Sequence, residues 1–197
     1  RNFADRNVYP QADFPHSGDE RDVENLVRSL EYRSGIRAED LPYEDGSFDL
    51  VYSVAALEHV PEPGPTVSEI ARVLRPGGLA VHEIGLIHHG SADPLRFLEW
   101  SDEEYAEKAE PYGEGRSLDG ILEGSWVGEV FCNRIRRSDW LMHFRASGLL
   151  ECVEEPLITL DRSLIRKERF ASRFRAYDED ELAILAFRLV ARKAQVP

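Results

Sequence analysis

The stretch from Ala38 to Gly78, AEDLPYEDGSFDLVYSVAALEHVPEPGPTVSEIARVLRPGG, constrains this chain more than any other. Phe48 to Ser53 (FDLVYS) is nearly all apolar and rich in β-formers, the pattern of a central parallel strand buried on both faces. The Pro42–Gly46 segment, Pro-Tyr-Glu-Asp-Gly, is a turn ahead of it. A polar crossing loop follows. Thr66 and Glu69 then form a T-x-x-E capping-box pattern before a helical stripe of Val67, Ile70, Ala71 and Leu74. Arg75-Pro-Gly-Gly78 stops the helix, because proline cannot continue it and glycine tolerates positive φ. Leu79 to Ile87 is the next strand. Strand, crossover helix and strand in this order make a βαβ unit of a parallel sheet, whose strand ends are suited to holding a ligand.

The flanks are less strongly patterned. Asp19 to Leu30 reads as a helix, with Val23, Leu26, Val27 and Leu30 at i, i+3, i+4, i+7 and acidic residues in its first turn. Glu31 to Ile36 reads as a short, weakly marked strand. Residues 88–135 form a long, glycine-punctuated segment with helix around Pro94 to Ala109, and a connection of that length is expected to be a substrate or lid insertion. Ser138 is expected to cap a helix that ends at Gly148. Leu149–Leu160 and Leu185–Ala191 read as strands. The basic stretch between them, Ser163 to Tyr177, reads as helical or irregular.

Composition narrows the partners. In 197 residues, 37 Asp and Glu against 24 Lys and Arg give a net charge of −13, which repels phosphate backbones and disfavours nucleic acid. The acidic run Glu99, Asp102, Glu103, Glu104, Glu107, Glu110 reads as a solvated helix face. No run of about 18 apolar residues is present, so no membrane helix is expected. Cys132 and Cys152 have no close cysteine or histidine at metal-type spacing, so two reduced thiols in a cytoplasmic protein are expected. His82, Glu83, His88 and His89 invite a metal reading, but strand alternation puts His82 and Glu83 on opposite faces, and no metal is expected.

The Ala38–Gly78 block resembles the central half of class I S-adenosylmethionine-dependent methyltransferases of the type 11 group. The resemblance implies an α/β fold with a Rossmann-like sheet, mostly parallel with an antiparallel last strand, in the order 3-2-1-4-5-7-6. It places Glu31–Ile36 as the third strand, Phe48–Ser53 as the fourth and Leu79–Ile87 as the fifth. Leu149–Leu160 and Leu185–Ala191 are then the sixth and seventh. Residues 1–197 would be one partial domain. The first two strands and the glycine-rich loop of the family have no counterpart, since Gly18 and Gly35 are the only glycines before Ile36. The expectation is that the chain is part of a longer protein starting just after its second strand.

The resemblance also implies the site. S-adenosylmethionine would contact Arg37, Ala38 and Glu39 at its adenine end and Ser53, Val54, Ala55 and His59 at its methionine end. His59 and Glu58 are the candidates for proton removal, because an imidazole titrates near neutrality. His88, His89, Trp100, Asn133 and Arg134 are candidate substrate contacts, and Trp140 reads as core. The implied activity is methyl transfer to an O, N or C nucleophile of a small molecule, with a homodimer considered. The alternative is a non-catalytic methyltransferase-like module serving a partner.

Overall fold

The first strand of the computed structural model, β1 (Phe48–Val54), follows a tight loop and pairs in parallel with β2 (Leu74–Gly85). The model describes residues 31, 33–89, 91–110 and 129–195. The chain divides into two compact units, Arg1–Ile36 and Arg37–Pro197. Of the first unit, Glu31 and Arg33–Ile36 are described and form no strand. The expected third strand is therefore absent from these residues. Gly35 bends left-handed at φ 73°, and the Arg33 guanidinium turns back to Glu31 at 2.7 Å, so the segment has neither the backbone nor the apolar alternation of a strand. The expected helix Asp19–Leu30 lies outside the described residues.

In the second unit, α1 (Pro63–Val73) links β1 to β2. It starts four residues earlier than the capping-box pattern suggests, with Glu62 rather than Thr66 at the N-cap. Pro63 occupies the first helical turn, where its fixed φ suits the helix and its missing N–H is not needed. Thr66 is buried inside the helix, and Glu69 accepts from the Leu41 N–H at 2.9 Å and from Arg72 instead of capping. Arg75-Pro-Gly-Gly78 is a bulged start to β2, with Gly77 at φ 79°. A side chain at Gly78 would stand 2.9 Å from the Arg75 carbonyl oxygen.

Chain order then brings α2 (Asp102–Lys108), the two-residue parallel pair β3 (Ala109–Glu110) and β4 (Glu129–Val130), and α3 (Arg137–Ala146). The Asp139 carboxylate, not Ser138, satisfies the start of α3 by accepting from the Arg136 N–H at 2.9 Å. β5 (Leu149–Thr159), α4 (Glu179–Ala183) and β6 (Ile184–Lys193) complete the unit, with three short 3-10 turns between β5 and α4. The sheet order is β1-β2-β6-β5, with β6 antiparallel to both neighbours. This is the α/β class and the 4-5-7-6 half of the order anticipated from the sequence.

One core packs Val67 and Ile70 of α1 and Trp140 and Phe144 of α3 against Ile84 of β2 and Phe187 of β6. Trp140 is fully buried, as read from the sequence, and truncating such a ring costs about 3–5 kcal/mol. A second core gathers Phe97, Leu98, Tyr105, Phe170, Phe174 and Leu182. β1 itself departs from expectation. Leu50, Tyr52 and Val54 are 48%, 71% and 59% exposed, because among the described residues β1 pairs on one side only.

Candidate functional site

The carboxyl end of β1 turns sharply into a 3-10 turn at Leu57–His59. Ala55 sits at φ 49°, rare for a side chain with a Cβ, while its N–H donates to the Glu83 carbonyl at 3.0 Å. Asn133, distant in sequence, fixes the turn. Its backbone N–H donates to the Glu58 carbonyl at 2.8 Å, and its side-chain amide donates to the Leu57 and Val60 carbonyls at 2.8 and 3.1 Å. The His59 Nδ1–H donates to the Phe131 carbonyl at 2.8 Å, which sets the ring plane.

Glu58 points inward. It is 3% exposed, and neither carboxylate oxygen makes a hydrogen bond of ordinary geometry among the described residues. Burial raises its pKa above the usual carboxylate range, tempered by its own backbone, His59 and the Gly85 backbone. Gly85 leaves room for this carboxylate, since a Cβ there would meet Glu58 Oε1 at 2.6 Å and push it aside. His89, after β2, brings its ring to 5.1 Å from that of His59. Desolvation, then the charges of His59 and His88, hold it below the usual imidazole value.

A cavity of about 500 Å³ opens beside His59. Pro61, Tyr105, Ala106, Ala109 and Phe131 supply its apolar wall, and Asn133, Arg134, Arg173 and Asp102 its polar one. Arg134 is left-handed at φ 60°, and its guanidinium lies 4.1 Å over the Tyr105 ring. It donates to the Phe97 and Trp100 carbonyls at 3.0 and 2.8 Å and pairs with Asp102, while burial draws its pKa down to about 10. Arg134 is therefore a structural tie of the cavity wall. The Tyr105 hydroxyl clamps Cys132, donating to its carbonyl at 2.9 Å and accepting its N–H at 2.7 Å. Burial, with Glu58 nearby, pushes the Cys132 thiol up to about 12.

The acidic run is not merely a solvated face. Glu99 pairs with Arg169 at 2.7 Å, and Asp102 meets both Arg134 and Arg173. The basic stretch thus folds onto the acidic one within the chain.

On the far side of the β1 tip lies the loop Arg37–Asp40. Arg72 of α1 organises its continuation by donating to the Leu41 and Tyr43 carbonyls at 2.9 and 2.7 Å. Glu39 is mostly covered, lies 3.6 Å from Arg37, and its Oε1 has no hydrogen-bond partner among the described residues. A covered carboxylate oxygen can accept a hydrogen bond from an N–H donor. Val54 and Ala55 leave the strand tip exposed. The Ser53 hydroxyl is engaged with His82 Nδ1 at 2.8 Å, so its contribution would come from the backbone.

Sequence-predicted residues thus divide. Glu58, His59 and His89 come together, and Asn133 and Arg134 line the cavity. His88 and Trp100 pack edge to face, ring centroids 5.4 Å apart, and His88 also stacks on Phe97 of the second core. Tyr105, Phe131 and Gly85 carry no sequence motif; the apolar face of α2 is the one signal that points to Tyr105.

Known proteins give the following likenesses. A family profile described as a methyltransferase domain matches residues 19–82. The 2-methyl-6-phytyl-1,4-hydroquinone methyltransferase of Synechocystis sp. is 30% identical over 62% of this chain and 45% of its own length. Tocopherol O-methyltransferase, chloroplastic, of Arabidopsis thaliana is 51% identical over 26% of this chain and 16% of its own. The chain therefore spans less than half the length of these curated relatives. The geranyl diphosphate C-methyltransferase of Streptomyces coelicolor A3(2), solved with S-adenosyl-L-homocysteine, aligns over 89% of this chain and 57% of that one, at 16% identity and a TM-score of 0.48. Among the described residues, no helix is long and apolar enough to cross a membrane.

Proposed function

We propose that this chain, whose residues 19–82 match a methyltransferase-domain profile, is part of an enzyme that moves a methyl group from S-adenosylmethionine to an oxygen, nitrogen or carbon nucleophile of a small molecule. The observation that carries this reading is the cavity of about 500 Å³ with His59 in its wall. His59 stands five residues past the β1 tip, across a turn that Asn133 holds from outside. Five residues span at most about 18 Å, so a donor at the tip lies within that distance of the cavity wall at His59.

Each group then has a task. Arg37, Ala38 and Glu39 border the adenine end, with Glu39 Oε1 as acceptor. The backbone of Ser53, Val54 and Ala55 faces the methionine end. Tyr105 and Phe131 hold the apolar body of the acceptor, and Asn133 and Arg134 keep that wall in place. His88, His89 and Trp100 back the acceptor side, and Glu58 and His59 are the polar groups closest to its reacting end. When bound, the cofactor supplies a methyl that its sulfonium already makes electrophilic, so the work of the chain is binding and in-line positioning. The relatives named for hydroquinone and tocopherol support a ring-bearing acceptor.

Titration calorimetry of the intact protein with S-adenosylhomocysteine is the test. Saturable heat with a thermal upshift is expected. Absence of both heat and upshift at millimolar ligand overturns the proposal.

A further inference from the structure

The carboxylate of Glu58 is buried beside two imidazoles. It is 3% exposed, makes no hydrogen bond of ordinary geometry among the described residues, and lies where a Cβ on residue 85, a glycine, would stand 2.6 Å from its Oε1. Burying an ionisable group without a partner is costly, and its neighbours are imidazoles, not an arginine or lysine. The potential ligand atoms of Glu58, His59 and His89 all lie within 4.8 Å of one another.

We infer that Glu58, His59 and His89 are the three protein ligands of a divalent transition-metal ion of the zinc class, bound at the wall of the acceptor cavity. Two imidazoles and one carboxylate form a mixed nitrogen and oxygen set, which suits zinc-class ions better than magnesium or calcium, whose ligands are oxygens. Three protein ligands leave a coordination position open, as catalytic metal sites do. Metal–ligand bonds of about 2.0–2.2 Å require the three atoms to draw closer. His89 is the exposed member and can turn inward, while Glu58 is fixed by packing and His59 by its bond to the Phe131 carbonyl at 2.8 Å. That bond is the outer contact that orients a ligating histidine. A positive ion also supplies the partner that the Glu58 carboxylate lacks.

The sequence does not announce this set. Glu58 and His59 are adjacent, His89 lies thirty residues on, and the tempting cluster of His82, Glu83, His88 and His89 contributes one ligand. For its chemical use the inference rests on the methyl-transfer reading, because the open position would take an oxygen of the acceptor as ligand. For its existence it does not.

The test is calorimetry of zinc chloride into the untagged, chelator-stripped chain, with cobalt absorption in the visible as a second readout. A single equivalent is expected to bind. Glu58→Gln and His89→Ala should each weaken binding by at least about tenfold. His143→Ala, at a histidine outside the cluster, should leave it unchanged. His89 is exposed, so His89→Ala decides the matter even where Glu58→Gln disturbs folding; circular dichroism checks both. Absence of saturable zinc binding, or binding that survives both variants, overturns the inference. S-adenosylhomocysteine titrated into the intact protein, as above, separates the two readings. Zinc binding without it keeps the metal site and removes methyl transfer; the reverse removes the metal site alone.

Discussion

Acidification is expected to destabilise this protein through His82. The residue lies in β2, fully buried, with Nδ1 on the Ser53 hydroxyl at 2.8 Å, its ring centroid 5.4 Å from that of Phe144, and Nε2 without a partner. Burial lowers its pKa from 6.5 to about 4. A proton therefore binds the unfolded chain more tightly than the fold. The stability so conferred is full above pH 6.5 and is lost as pH falls toward 4. Linkage makes the loss about 2 kcal/mol between pH 7 and pH 5, and about 3 kcal/mol once both states are protonated. His82→Gln keeps a hydrogen-bonding group near Ser53 and carries no charge at any of these values. Urea unfolding of both proteins at pH 7 and pH 5 isolates the contribution, since other groups cancel in the difference. The wild type should lose about 2 kcal/mol more than the variant over that interval. Equal losses, or an NMR titration of His82 with a midpoint above pH 6, would refute the reasoning.

Two further outcomes follow from buried polar contacts. Arg136 is fully buried and donates to the Leu86 and Ile184 carbonyls at 2.8 and 2.7 Å, with burial drawing its pKa to about 10. Arg136→Met strands those acceptors and should cost about 3 kcal/mol in thermal or urea unfolding, and a loss below about 1 kcal/mol would show that water replaces the guanidinium. Asn133→Ala frees the Leu57 and Val60 carbonyls. It should cost about 1–3 kcal/mol of stability and lower kcat of the intact enzyme more than its cofactor affinity, and an unchanged kcat would show that the turn holds without it.

The parallel unit of β1, α1 and β2 was legible because its physics is local. A run of β-formers, a helical stripe and a Pro-Gly-Gly break are short-range preferences that packing did not overrule. Boundaries moved where a side chain found a better distant partner. Glu69 left the capping position for Leu41 and Arg72, and Asp139 displaced Ser138 at α3. Glu31–Ile36 failed as a strand because its marks were weak and Gly35 took a left-handed turn.

The site divides in the same way. That Glu58 and His59 stand close past the β1 tip was legible in the sequence, since the carboxyl end of a parallel strand and the Leu57-Glu58-His59-Val60 stretch lie side by side in the chain. Its contents came from the fold. Asn133 reaches back across the chain to hold the turn, Gly85 makes room for Glu58, and His89 meets His59 only because β2 runs beside β1. Periodicity and turn chemistry act within a few residues and can be read along a line. The desolvation of a carboxylate, the shape of a cavity and the meeting of two imidazoles depend on distances that exist only after the sheet has assembled.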